Sequence, residues 1–490
     1  MRHLHPGRLV TGAALLVAAA LTATSGLVVG AKPVSGPASS SAPSLTQGPV
    51  ASASDTSPST SPSGAAPTSS LNSSTTSSAA TDRQTPPPQV RSHPAEFLPS
   101  GAASSGSSSS TTTTPTQTPT PTPRPTPAPT ATAAPTPAPT ATAAPTPAPT
   151  QLPRPSGFVS RCGDQLCLDG RVWTFTGVNA YEAATEWGTN AGCGTELSNS
   201  QLDQLFSSLG PGHVVRFWAF QALATNYTTK QLDWGPIDRV INAAAAYGDL
   251  VIPALANETG SCDDNHWKDA AWYDGGYRNV YDSSQWPAST PLSYWSYVQD
   301  FLQRYKDNTT IAMVELVSEP SPTGSGYVCE GETAAAQALR SFFDTVGEMA
   351  HAIDPNHLIE SGLQGSNQCG TVNTDYGYVM ASPGVDVASV HDYETALTPD
   401  YFTGAVAEAR AVGKPLITGE AGEEAQAALP GCPSLQDRTS LMEQKMNAQL
   451  GAGSSGFLAW DWVPSNPGGG NTCSYDIGPA DPLIAVLASR

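Results

Sequence analysis

The chain has 490 residues and a formal net charge of −20, from 42 Asp and Glu against 22 Lys and Arg. Three of those acids and seven of those bases precede residue 156, so residues 156–490 carry 39 acids against 15 bases. So acidic a domain disfavours nucleic acid and other anionic polymers as partners and suits a neutral one.

The first segment, 1–31, has the form of an export signal. Arg2 and Arg8 precede an apolar stretch from Leu9 that ends on a small-residue cleavage site at Val29, Gly30 and Ala31. The alternative is retention as a membrane anchor, since the stretch is about long enough to span a bilayer. Residues 32–155 are almost wholly Ser, Thr, Pro and Ala and end in a proline-rich repeat from Thr126. They cannot bury enough apolar surface to offset their ordering entropy, so a disordered stalk is expected. Residues 156–490 hold all ten Trp and all eight Cys and form the folded domain.

Within that domain, eight apolar, β-prone runs alternate with helical patterns. The runs are Val172–Tyr181, Val214–Phe220, Leu250–Asn257, Ile311–Glu319, His357–Gln364, Asp386–Tyr393, Pro415–Glu420 and Gly456–Trp462. The helical patterns are Gln201–Leu209, Ile237–Tyr247, Ser293–Tyr305, Ala334–Ile353, Tyr401–Val412 and Arg438–Leu450. Only a Gly-rich loop follows the fifth run. The alternation implies an α/β fold with a parallel sheet closed into a (β/α)8 TIM barrel. Cys162 to Arg171 reads as a hairpin capping the barrel bottom.

Functional groups of such a barrel gather at the C-terminal strand ends. Here those ends carry Arg216, Asn257, Glu319, His391, Tyr393, Glu420 and Trp460. Glu319 and Glu420 each end an apolar strand that breaks at once, at Pro320 and Gly422. A carboxylate there is costly unless it has a function, and two on one face are the minimum equipment for cleaving a glycosidic bond. Glu319 is the candidate acid/base and Glu420 the candidate nucleophile, with Arg216 and Tyr393 as the donors that keep Glu420 ionised. His391 shares their strand face, and Trp460 offers a flat surface for a pyranose. Trp218, with Trp187, Trp267 and Trp272, serves either further sugar subsites or packing. Glu315 points into the barrel below Glu319 and reads as a structural acid paired with a buried base or water.

The ordered set of motifs resembles glycoside hydrolase family 5, in its β-mannanase branch. The resemblance rests on Phe175 to Tyr181, Val215 to Phe220, Glu315 to Pro320, Asp354 to His357, His391 to Tyr393, Gly419-Glu420 and Trp460. It implies a retaining endo-β-1,4-mannanase that needs no cofactor or metal. The alternatives are a β-glucanase or another β-glycosidase, and, in a different class, an inactive carbohydrate-binding barrel on a stalk. The expected partner is a neutral plant-type polysaccharide, the expected state a monomer, and the expected location extracellular or anchored at the surface. One position departs from the family. Ser318 stands where the resemblance implies an Asn that contacts the sugar 2-hydroxyl, and a serine there falls short of it.

Eight cysteines in an exported domain imply up to four disulfides, with many connectivities open. No Cys-x-x-Cys pair occurs, which argues against zinc. Pairing by shared loops suggests Cys162–Cys167, Cys193–Cys262, Cys329–Cys369 and Cys432–Cys473.

Overall fold

The computed structural model describes residues 157–281, 290–324, 328–329, 331–426, 429–465 and 472–490. The export segment 1–31 and the stalk 32–155 lie outside the described residues.

The domain opens with three short antiparallel strands, β1 (Ser160–Arg161), β2 (Leu166–Leu168) and β3 (Arg171–Val172). Eight parallel strands then run in the order of the expected units: β4 (Phe175–Asn179), β5 (Val214–Trp218), β6 (Leu250–Ala254), β7 (Met313–Glu315), β8 (Leu358–Glu360), β9 (Ala388–Asp392), β10 (Leu416–Ala421) and β11 (Ser454–Ala459). Each neighbours the next, and β11 pairs with β4. The remaining seam, β8 to β9, closes through a parallel bridge between Glu360 and Val387. The barrel is therefore complete and has no free sheet edge.

Helices cover the outside, beginning with α1 (Asn199–Leu209), α2 (Gly235–Tyr247), α3 (Ala270–Tyr273) and α4 (Tyr294–Tyr305). Several are set by local chemistry. Ser198 and Gln201 form a reciprocal capping box at the start of α1, and Ser293 caps α4. The Ala334–Ile353 pattern is α5 (Glu332–Phe342), a π turn at Phe343–Gly347 and α6 (Glu348–Ile353). The fifth unit differs from expectation. It does carry a helix, α7 (Asp375–Met380), whose Tyr376, Val379 and Met380 are buried. Six residues supply too few turns to raise a visible periodicity in the sequence. Then follow α8 (Asp400–Ala411), α9 (Leu435–Ala452) and α10 (Pro482–Leu487).

Strand alternation divides the barrel interior into two levels. At the bottom, Phe175, Val214, Leu250, Ile252, Met313, Ile417 and Leu458 form one apolar cluster, which Val159 and Leu166 of the N-terminal strands seal. That is the expected cap. Two to four residues further along the strands the inward positions turn polar: Asn179, Arg216, Glu315, Glu360 and His391, all buried. All four anticipated disulfides form. Three of them join loops at the C-terminal face, and Cys162–Cys167 staples the bottom hairpin.

Candidate active site

Arg216 is the centre of the upper level. It is 2 % exposed. Its Nε and Nη2 donate to the two oxygens of Glu315 at 2.5 and 2.7 Å. Nη1 donates to Glu420 Oε1 at 2.7 Å and to Asn179 Oδ1 at 2.8 Å, and Nη2 also donates to Ser318 Oγ at 2.7 Å. All five guanidinium N–H groups have an acceptor, which a buried permanent cation requires. The buried base anticipated for Glu315 is thus Arg216. The charges of Glu315 and Glu420 outweigh burial and hold the guanidinium's pKa above its ordinary value.

Glu420 reaches this cation because β10 is irregular. Its register against β9 shifts between Thr418 and Glu420, so Glu420 stands opposite His391 where strict alternation would place it on the other face. Asn179 Nδ2 donates to the carbonyl of Gly419 at 3.0 Å and holds the bulge. The second oxygen of Glu420 accepts from the Tyr393 hydroxyl at 2.6 Å. Burial raises the Glu420 pKa; His391, Arg216 and Tyr393 pull it down without cancelling that rise, and the Glu319 charge adds to it.

Glu319 lies past the end of β7, in a segment stitched to both neighbours. Ser318 bridges Asn257 on one side, and the Glu319 amide donates to the Gly362 carbonyl on the other. Glu319 has φ 56°, a left-handed conformation that costs a non-glycine residue about 1–2 kcal/mol and re-aims its side chain. Its carboxylate is one-third exposed and meets His391 Nδ1 at 2.8 Å. Burial pushes its pKa up, but the bond and charge of His391, with Gln364 and Arg216, outweigh that and set it below the ordinary value. His391 Nδ1 also lies 3.5 Å from Glu420 Oε2. Burial alone would lower the imidazole pKa; Glu420 first, then Glu319, raise it. One ligand-type atom from each of Glu319, His391 and Glu420 falls within 4.8 Å of the others.

The aromatic residues sort by depth. Trp460 is half-buried and stacks on Tyr181, ring centroids 5.5 Å apart and planes 6° from parallel. Trp218 is buried beneath them, tilted against Tyr181 at 4.7 Å and stacked on Phe220 at 4.8 Å. It supports the floor more than it forms the surface. Trp272 is 1 % exposed and belongs to the outer core with Tyr294 and Phe342, so it is a packing residue. Trp187, by contrast, is 59 % exposed. Asn257 turns its amide to the Ser261 carbonyl at 3.0 Å within its own loop. Glu423, a carboxylate near Glu420 in sequence, is tied to Lys445 at 3.0 Å.

Sequence reasoning missed Asn179, Glu360 and Gln364. Glu360 ends the apolar run from His357, the same cue that marked Glu319. Burial and the Glu315 charge push its pKa up to about 8. Gln364 carried no chemical signal of its own, and its role as a donor to Glu319 appears only in the folded chain.

No family model matches the chain. Among curated proteins it is 24 % identical over 351 residues to mannan endo-1,4-β-mannosidase A of Hypocrea jecorina, covering 64 % of this chain and 71 % of that protein. It is 26 % identical over 296 residues to a probable mannan endo-1,4-β-mannosidase C of Aspergillus terreus, covering 51 % and 67 %. It is 25 % identical over 371 residues to mannan endo-1,4-β-mannosidase 1 of Arabidopsis thaliana, covering 64 % and 84 %. A solved endo-1,4-β-mannanase from Rhizomucor miehei superposes with a TM-score of 0.48 at 22 % identity, covering 68 % of this chain and 97 % of that one. The architecture described above is a (β/α)8 barrel with paired carboxylates at its C-terminal face. The sequence relatives, at 24–26 % identity, are all named mannan endo-1,4-β-mannosidases.

Replacing Arg216 with Met removes the one partner that Glu315 and Glu420 share. Breaking a buried ion pair by removing one partner costs about 3–5 kcal/mol. The expected outcome is a loss of that size in unfolding free energy by denaturant titration; a loss under about 1 kcal/mol would show that the carboxylates find other donors.

Proposed function

We propose that this protein is an exported endo-acting glycosidase that hydrolyses β-1,4-mannan with retention of anomeric configuration. The observation that carries the reading is the Glu319–His391–Glu420 cluster, two carboxylates held in close range by one imidazole over an aromatic floor. The sequence likeness to proteins named mannan endo-1,4-β-mannosidase supports the substrate. In this reading residues 1–31 are the export signal and 32–155 a stalk that spaces a monomeric barrel, 156–490, from its point of attachment or release. The four disulfides accord with an oxidising compartment.

The roles follow from the contacts. Glu420, oriented by Arg216 and Tyr393, attacks the anomeric carbon and forms a glycosyl ester. Glu319 gives its proton to the departing oxygen, and then takes a proton from the water that attacks the ester. In the free protein the pKa shifts run counter to these roles, with Glu319 lowered and Glu420 raised. The hydrogen bond between Glu319 and His391 resolves this. In this reading the two groups share one proton, and moving it from Nδ1 to Oε1 across 2.8 Å converts imidazolium and carboxylate into imidazole and carboxylic acid. Glu420 stays ionised throughout. Trp460 and Tyr181 form the floor under the sugar. The Ser318 hydroxyl oxygen accepts from Arg216 Nη2 at 2.7 Å.

Reducing-sugar release from mannan, glucan and xylan tests the assignment. Mannan should be the best substrate, with the β-anomer appearing first by NMR. Glu319→Ala and Glu420→Ala should each lower kcat by about a thousandfold or more. A preference for glucan would replace the substrate, and intact activity in either variant would end the assigned roles.

The pH profile of kcat/KM should be a bell. Glu420 must be ionised, and its pKa is raised above the ordinary 4.5, so activity is lost as pH falls through a value above 4.5. The His391 proton is present below a pKa raised above the ordinary 6.5, so activity is lost again as pH rises through that higher value. His391→Gln should move the basic limb to lower pH; an unmoved limb would show that the imidazole does not hold the proton.

Ser318→Asn should raise kcat on mannan. Its amide oxygen can keep the Arg216 bond while its NH2 reaches toward the 2-hydroxyl, a contact that strengthens in the transition state. A fall in kcat would mean that the serine suits another sugar at the cleavage point.

A further inference from the structure

Trp187 stands out. It lies on the loop after β4, at the C-terminal face, and its ring is 59 % exposed. An exposed tryptophan on a floppy loop would mean little, but this loop is tied down at many points. Asn190 donates to the carbonyls of Ala184 and Leu223 at 2.9 Å, and accepts from the amides of Glu186 and Gly192. Thr185 and Cys193 exchange two hydrogen bonds at 2.7 and 2.8 Å. Arg239 of α2 donates to the carbonyls of Leu197 and Thr185. The Cys193–Cys262 disulfide fastens the loop to the one after β6. An apolar ring is therefore held out into water by an ordered backbone.

The loop beneath the ring also abuts the support of the cleft floor. A Cβ on Gly192 would stand 2.4 Å from Trp187 Nε1, so the indole rests on bare backbone. Two residues on, a Cβ on Gly194 would stand 2.2 Å from Glu182 Oε1. Glu182 accepts from the Tyr181 hydroxyl at 2.8 Å, and Tyr181 stacks on Trp460. The loop that carries Trp187 thus packs against Glu182, which holds the hydroxyl of the cleft-floor residue Tyr181. The Tyr227 amide donates to the carbonyl of Thr189 on the same loop at 2.9 Å, and Tyr227 is 41 % exposed. The same loop carries Glu186 and Glu196, which disfavour an anionic ligand.

We propose that Trp187, flanked by Tyr227, is a distal stacking platform for a neutral β-linked polysaccharide whose cleaved bond lies in the Glu319–Glu420 cleft. The platform binds sugars beyond those at the cleavage point and so selects long chains over short ones. It rests on the functional reading above, and its test is a ratio that separates the two. For the full chain, kcat/KM is measured on soluble mannan polymer and on an aryl β-mannobioside. Trp187→Ala should lower the polymer-to-mannobioside ratio by about tenfold, the size expected for losing one aromatic anchor. Trp187→Phe, which keeps a ring, should recover most of it, and Tyr227→Ala should lower it less. A ratio that stays unchanged in Trp187→Ala, whether both rates hold or both fall together, overturns the platform. If the unaltered protein cleaves glucan and not mannan, the mannan reading fails. The same ratio measured on glucan polymer and an aryl β-cellobioside then decides the platform by the same criterion.

Discussion

One buried cation organises the working end of this molecule. A guanidinium inside a closed barrel must satisfy every N–H from the strands around it, because no water can do so cheaply. Arg216 on β5 therefore binds together Asn179 on β4, Glu315 on β7, Ser318 just past β7 and Glu420 on β10. These partners come from separate parts of the chain, and the cation places them by a single planar fork. The apolar plug beneath, around Met313 and Leu458, keeps the network dry. Charge interactions are strong there, so the fork orients Glu420 with little freedom left.

The loops above the barrel serve the same geometry. Each of the three disulfides at this face joins loops from different strands. Residue 319 is held in its left-handed conformation by backbone bonds to both neighbouring strand ends. Order of this kind limits how far the Glu319 carboxylate can drift from His391, and proton transfer across one hydrogen bond needs that closeness. The acidic charge of the domain fits the neutral sugar proposed as its substrate.

Much of this was legible from residues alone. The eight strands, their order and the positions of Glu319 and Glu420 were readable because buried parallel strands are continuous apolar runs, and a carboxylate that ends one is conspicuous. The four disulfides followed from which loops share a face. Hydrophobic periodicity did not reveal α7, which is too short to show it.

Sequence by itself determined the fold class and the identity of the groups at the strand ends, since both depend on local pattern and burial. It did not determine how those groups meet. The bulge that turns Glu420 inward depends on the register of β10 against β9, and register is a property of two strands, not of one. Whether a tryptophan packs or binds depends on what lies against its faces: Trp272 is enclosed by Tyr294 and Phe342, while Trp187 rests one edge on Gly192 and meets solvent with the rest. The occupation of Ser318 by Arg216 was likewise invisible, because a hydrogen bond between residues about a hundred positions apart exists only once the barrel has closed.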